Sequence, residues 1–516
     1  MTAAARGPRP VPAADRAWAG LLRSGLLTVV LLAFVVYRLS AMAGHAAPPG
    51  SDGGNWLAFG RELLGEDVKA ARSAYPPIVP ALDWALSRLI GPLGAAKILG
   101  ATSAVLAGIP LYLVAASAAP WWAALLGTVA FVGAGYRSEV VAFGGYPQLV
   151  GEAFTLGALW LYARGVGTGR RRTLIGGAVL AALAVGSHHL SSVILVTATA
   201  VLTAMLLLQA LPAKRIIARL VGFGLLTILL SVPFLPAYAS MVRELAGSPM
   251  NAQGWSLATA GDTFGYLFRN AVGLWYALLG VAGMGVLLPA PAERRTVRTL
   301  AAASLLTPLG LFAYFAEVRF LQFLFVGMAL GLALAAAFLW EAAAQPRARQ
   351  AVAAATLAVV AVVVWAGTVF TRQAFPWYQV IDNDRLEALE WLKQKSLPDS
   401  VILATATRNG WPIGWWIEGY TGRKTIIGAD LRWMAFRQEQ AHAQEVSAVV
   451  DLLRANDPAA VPRIKRLGVG YLFLDEENWP GGPPDVPFLE PAFENPAVII
   501  LRVGDRAYAA DGMDRR

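Results

Sequence analysis

The chain has 516 residues, 57% hydrophobic and 15% charged, with a mean hydropathy of +0.53, a balance too apolar for a water-soluble globular protein. It contains no cysteine, which excludes disulfides, thiolate nucleophiles and Cys-ligated zinc or iron–sulfur centres. The net charge of +10 is uneven: residues 1–371 carry 26 Lys and Arg against 13 Asp and Glu, whereas residues 372–516 carry 17 against 20. A basic membrane domain followed by a soluble domain is expected, and no basic patch outside the membrane marks a nucleic-acid partner.

A window of about 20 apolar residues per crossing picks out about eleven spans. They fall near 24–43, 98–118, 121–136, 148–163, 173–187, 190–211, 217–236, 269–288, 299–316, 320–340 and 351–371. With residues 1–23 as a cytoplasmic tail, the arginine and lysine clusters at 164–172, 214–219, 294–298 and 347–349 all face the cytoplasm, as the positive-inside rule requires. An odd number of spans then places residues 372–516 outside the cell membrane. The Arg-rich flank and Ala41-Met42-Ala43 also fit a cleaved signal peptide, and either reading brings residue 44 out on the far side.

Residues 44–97 form a long first outer loop. Trp56, Phe59, Leu63 and Leu64 recur at helical spacing opposite Arg61 and Glu62, which predicts a helix lying in the interface plane. Tyr75-Pro76-Pro77 interrupts the chain, and 78–90 reads as a second surface-parallel helix, unless 76–92 is itself a span.

The acids of the membrane domain segregate. Only Asp15, Glu293 and Glu341 fall on the cytoplasmic side, while Asp52, Glu62, Glu66, Asp67, Asp83, Glu139, Glu152, Glu244, Asp262 and Glu317 lie at or near the outer face. Carboxylates at membrane depth cost several kcal/mol unless paired or hydrated, so Glu139, Glu152 and Glu317 are expected to line an outward-facing polar cavity. Asp52, among small residues in Gly50-Ser51-Asp52-Gly53-Gly54-Asn55, reads as a general base or metal ligand, or as the N-cap of the following helix. Arg137-Ser138-Glu139 reads as a mutual ion pair or as part of the site. Adjacent His188 and His189 point about 100° apart on a helix and so supply one phosphate-binding or proton-handling group, or a plain turn. Arg319, in the turn Glu317-Val318-Arg319-Phe320, suits a lipid-borne phosphate clamp, with an ion pair to Glu317 as the alternative.

Together these features resemble the GT-C superfamily of membrane glycosyltransferases, which take sugars from polyprenyl-linked donors. Asp52 matches the first-loop acid, Glu139 the second-loop acid, Tyr75-Pro76-Pro77 the Pro-Pro element after the loop helices, and Arg319 the late-loop arginine. The stretch from Ala388 through Gly414-Trp415-Trp416-Ile417 to Arg423 and Asp430 is similar to the oligosaccharyltransferase region with a Trp-Trp-Asp signature, but Ile417 stands where that acid would be.

The resemblance implies a polytopic α-helical membrane protein with residues 24–371 as its GT-C-like domain and 372–516 as an extracytoplasmic α/β domain. It also implies an inverting transfer to a glycan, lipid or protein acceptor, with Asp52 and Glu139 catalytic. Arg319, His189 and Tyr75 would contact the donor phosphate, and Trp415, Trp416 and Arg423 the acceptor or sugar. Some GT-C enzymes use a divalent cation, Mg or Mn, which Asp52 and Glu139 would hold here; the sequence leaves that choice and the oligomeric state open. A transporter of a lipid-linked substrate and a non-catalytic GT-C-like envelope scaffold are the rival functions. For the last domain the pattern predicts helix 384–395, strand 400–406, a turn-rich aromatic stretch, helix 435–455 and strand 470–475.

Overall fold

The computed structural model describes residues 13–71, 74–209, 212–246, 281, 285–287, 294–315, 317–480, 482–484, 486 and 488–504. The predicted span 269–288 and Asp262 lie wholly or largely outside these residues. The other predicted spans all coincide with helices. In chain order the first twelve are α1 (Ala13–Ala43), α2 (Asp52–Leu63), α3 (Ile78–Ile90), α4 (Pro92–Leu106), α5 (Gly108–Ala116), α6 (Trp121–Gly133), α7 (Gly135–Phe143), α8 (Tyr146–Thr168), α9 (Arg171–Ser187), α10 (His189–Leu207), α11 (Ala213–Ser231) and α12 (Leu235–Ala246). After them come α13 (Arg295–Phe315), α14 (Leu324–Ala342) and α15 (Pro346–Trp377). Among the described residues, 7 helices are long and apolar enough to cross a membrane by length and composition. At 13 residues, α6 has about 20 Å of rise and falls short of a full hydrocarbon core. Leu225, Ile228 and Leu229 of α11 are exposed, as lipid-facing side chains are.

Two sequence expectations change inside the bundle. Arg137 is fully buried and pairs with Glu152 at 2.8 Å rather than with Glu139, while its Nε donates to the Ala104 carbonyl at 2.6 Å. Glu152 therefore closes an internal ion pair instead of lining an open cavity. The reason is reach: α7 and α8 pack together, and a long guanidinium stem spans from one to the other.

The C-terminal region is an α/β domain. Helix α16 (Asn383–Lys395) precedes β1 (Val401–Ala404); β2 (Lys424–Ile427) follows, then α17 (Arg437–Arg454), α18 (Ala460–Arg466), β3 (Val469–Asp475), β4 (Leu489–Asn495) and β5 (Val498–Val503). The sheet order is β2-β1-β3-β5-β4, with β1 parallel to β2 and β3 and the other pairings antiparallel. Leu403, Leu472, Ile499 and Leu501 pack under Val446, Val449 and Leu453 of α17. The predicted turn-rich stretch is instead a short helix, Gly414–Trp416, running into a π-helical turn, Ile417–Thr421.

That turn locks the domain onto α2, so α2 does not simply lie in the interface plane. Its residues Gly53 to Gly60 are buried, while Leu63 and Leu64 stay exposed. A Cβ on Gly419 would lie 2.2 Å from the Gly54 carbonyl oxygen, and one on Gly54 would lie 2.6 Å from the Trp416 backbone, so the two chains meet at hydrogen-only contact. Trp416 Nε1 donates to the Gly50 carbonyl at 2.8 Å, and Arg61 Nε to the Gly419 carbonyl at 3.0 Å. Gly419→Ala is expected to cost about 1–3 kcal/mol through overpacking and to loosen this docking. Faster proteolysis between α15 and β1, with the membrane domain intact, checks it; an unchanged cleavage rate counts against the contact.

Candidate active site

Asp52 is the first residue of α2, with Ser51 in the N-cap position, so its carboxylate sits where the helix macrodipole favours negative charge. The segment before it is pinned from both sides. Gly50 donates its N–H to the Tyr378 carbonyl at 2.8 Å and accepts from Trp416, and only glycine suits the position, because its φ is 86° and a Cβ there would lie 2.6 Å from the Ala142 carbonyl oxygen. Burial pushes the Asp52 carboxyl up to about 7; Arg319 works against that rise and Glu439 adds to it.

Tyr75 occupies the centre of an aromatic cluster. Its ring lies 4.5 Å from Trp56 and 5.8 Å from Phe59, both on α2, and 5.8 Å edge-on from His189 at the start of α10. His188 caps α10, its Nδ1 accepting from the Ser191 N–H at 3.3 Å. His189 Nδ1 is buried without a hydrogen-bond partner among the described residues, which leaves it available to a ligand. Arg319 is held by Glu317 through Nε to Oε1 at 3.0 Å and Nη2 to Oε2 at 3.1 Å, so the ion pair offered as the alternative to a phosphate clamp does form. Its side chain is still 39% exposed, and its charge acts on Asp52, Tyr75 and His189. The structure thus gathers Asp52, Tyr75, His189 and Arg319 from four separate parts of the chain.

The remaining expected residues stand differently. Glu139 accepts a hydrogen bond from the Tyr378 hydroxyl at 3.4 Å, at the junction with the C-terminal domain. Trp415 and Trp416 are buried, and Trp416 is spent on Gly50, so their burial fits core packing rather than the sugar contact the resemblance implies. Arg423 donates to the Lys393 and Ser396 carbonyls at 3.0 Å and so closes the C-terminal end of α16.

One group escaped the sequence reading. Lys69 is buried, with Nζ 3.1 Å from Glu418, 3.9 Å from Glu439 and 2.9 Å from Asn55 Oδ1, and lies 4.5 Å over the Phe59 ring. Burial raises the Glu439 carboxyl to about 7, with Lys69 opposing the rise. This cluster ties the first loop to the C-terminal domain and brings the Glu439 charge to Asp52. Residues more than 340 positions apart leave no local pattern that would announce it.

Among the described residues no three His, Asp or Glu side chains converge to hold an ion. A Mg or Mn ion would draw on Asp52 and Glu139, the two carboxylates the resemblance implies, and take its remaining ligands from outside the chain.

No family model matches the chain, and no curated protein matches it. Solved structures do. Against the arabinofuranosyltransferase AftD from Mycobacteria the TM-score is 0.62 at 17% identity, covering 93% of this chain and 40% of that one. Against ArnT from Cupriavidus metallidurans bound to undecaprenyl phosphate it is 0.57 at 13% identity, covering 95% and 99%, and against the apo form 0.59, covering 96% and 99%. The chain therefore spans less than half of AftD but nearly all of ArnT, and at these identities the likeness is one of fold. A multi-pass helical bundle capped by an α/β domain, matched over almost its whole length in this way, shares the fold of these two solved structures.

Proposed function

We propose that the protein is a membrane glycosyltransferase that moves a sugar from a polyprenyl phosphate or diphosphate donor to an acceptor on the extracytoplasmic side, by a single inverting displacement. The observation that carries this is that the Arg319 charge acts on Asp52 and on Tyr75, whose ring lies against His189: one carboxylate and one guanidinium at one end of a GT-C-like bundle. The matched structures support it, one an arabinofuranosyltransferase and the other holding undecaprenyl phosphate.

The chemistry asks little of the protein, because the donor brings its own leaving group. Asp52 takes the proton from an acceptor hydroxyl as that oxygen bonds the anomeric carbon, and the anomeric carbon–oxygen bond to phosphate breaks with its electron pair staying on the lipid phosphate. Arg319, oriented by Glu317, stabilises the charge that develops there, and His189 and Tyr75 border the same phosphate. Glu139 stands at the Tyr378 junction as a helper. The positive-inside pattern supports a cytoplasmic N-terminus with the C-terminal domain outside.

The pH profile tests this assignment. Asp52 must be ionised to act, so transfer is expected to fall as pH drops below about 7. Glu439→Gln removes a charge that raises the Asp52 carboxyl, so the acid limb should move to lower pH. Arg319→Gln removes a charge that lowers it, so the limb should move up, alongside weaker donor binding. An acid limb that stays in place in both variants contradicts Asp52 as the base.

A further inference from the structure

The resemblance placed the sugar-contacting tryptophans at Trp415 and Trp416, which are buried, but two other tryptophans reach the surface beside the site over a buried ring, Trp411. Trp377, at the end of α15, is 49% exposed, and Trp433, in the loop after β2, is 39% exposed. Between them Tyr378 and Trp411 stack at 5.4 Å and 11°. Trp411 meets Trp377 at 5.1 Å and Trp433 at 6.3 Å, both edge-to-face, so the rings form one continuous cluster.

The loops that carry them are held firmly. Asn409 adopts a left-handed φ of 60°, uncommon for a residue with a side chain, and its carbonyl accepts the Trp433 indole N–H at 3.0 Å. The Asp430 N–H binds the Gly410 carbonyl at 2.8 Å, and Asn478 Nδ2 binds the Ala406 and Thr407 carbonyls at 2.7 and 2.5 Å. These loops follow the C-terminal ends of the parallel strands β1 and β2, where open α/β sheets place their ligands.

The geometry points to this cluster, Trp433 and Trp377 over Tyr378 and Trp411, as a stacking platform for a saccharide acceptor. Rings bind the apolar C–H faces of a sugar, and polar groups at the rim bind its hydroxyls. Both are present: Asp430 and Arg432 form an exposed ion pair at 2.7 Å, with the guanidinium 5.9 Å from the Trp433 ring, and the Tyr378 hydroxyl leads to Glu139. A membrane-interface belt also uses tryptophan. Here, however, Trp433 stands on the soluble domain, next to charges of both signs, and the Tyr378 carbonyl holds Gly50, two residues before Asp52. An acceptor seated on these rings would have its hydroxyls beside the proposed base.

The word acceptor rests on the transferase reading; saccharide binding itself does not, and the test separates the two. The purified protein in nanodiscs is titrated, without donor, with oligosaccharide fragments of mannan, arabinan and glucan while tryptophan fluorescence is followed. At least one fragment is expected to bind, with affinity falling about tenfold in Trp433→Ala and less than about threefold in Trp433→Phe. In the transfer assay, Trp433→Ala should raise the acceptor KM and leave the donor KM unchanged. Absence of saccharide binding, equal affinity in wild type and Trp433→Ala, or quenching of Trp433 by brominated lipid overturns the platform, the last in favour of a membrane anchor. Binding without any donor consumption would leave the platform standing and remove the transferase reading.

Discussion

Asp52→Asn is expected to reduce sugar transfer by about 10²–10⁴-fold, the range for removing a positioned general base. Asparagine keeps the size of the side chain and its place at the start of α2, so folding and membrane insertion should be untouched. Arg319, Tyr75 and His189 do not depend on the Asp52 charge for their positions: Arg319 is tied to Glu317, and Tyr75 is packed among rings. Affinity for polyprenyl phosphate should therefore survive or rise slightly, because a negative group facing a phosphate has been neutralised. Loss of transfer with binding retained separates a base from a residue needed to build the site. Undiminished transfer would remove Asp52 from the chemistry.

Lys69→Met should have the largest effect on stability. It leaves Glu418 and Glu439, both buried, without the cation that faces them. Breaking a buried ion pair by removing one partner costs about 3–5 kcal/mol. In this variant the carboxyls would relieve the strain by taking up protons, and the sign of the pH dependence follows. Glu439 already has its folded value raised from 4.5 to about 7, so its contribution to stability is greatest below 4.5 and is lost as pH rises through 7. The penalty in Lys69→Met should therefore be small near pH 5 and large near pH 8. Thermal inactivation across that range checks it, and a penalty independent of pH would show that the lysine acts by packing alone. Adding Glu439→Gln should restore part of the loss.

Hydropathy located most of the long apolar helices because a bilayer demands such runs, and charge asymmetry marked the C-terminal α/β domain. Asp52 and Tyr75 stand out in the long first outer loop, and His189 and Arg319 in short turns between apolar stretches. What stayed hidden depends on which distant side chains meet. Arg137 chose Glu152 over Glu139 because of helix packing, and Lys69 found Glu418 across some 350 residues of chain. The aromatic stretch offered Trp411, Trp415, Trp416 and Trp433 alike, and only the tertiary fold separates buried rings from exposed ones. The β4–β5 hairpin did leave a signal, the apolar run Val498–Val503 after the Asn495-Pro496 turn, which the presence of Pro491 in β4 obscured.

The most direct test is to reconstitute the purified protein in liposomes with a radiolabelled polyprenyl-phosphate sugar and an oligosaccharide acceptor, and to follow release of free polyprenyl phosphate. The wild type should release it in step with labelled product of inverted configuration, while Asp52→Asn binds the donor and releases almost none. Donor that is neither bound nor consumed by the wild type, or consumed equally by Asp52→Asn, would contradict a carboxylate and a guanidinium working together on a lipid-borne sugar.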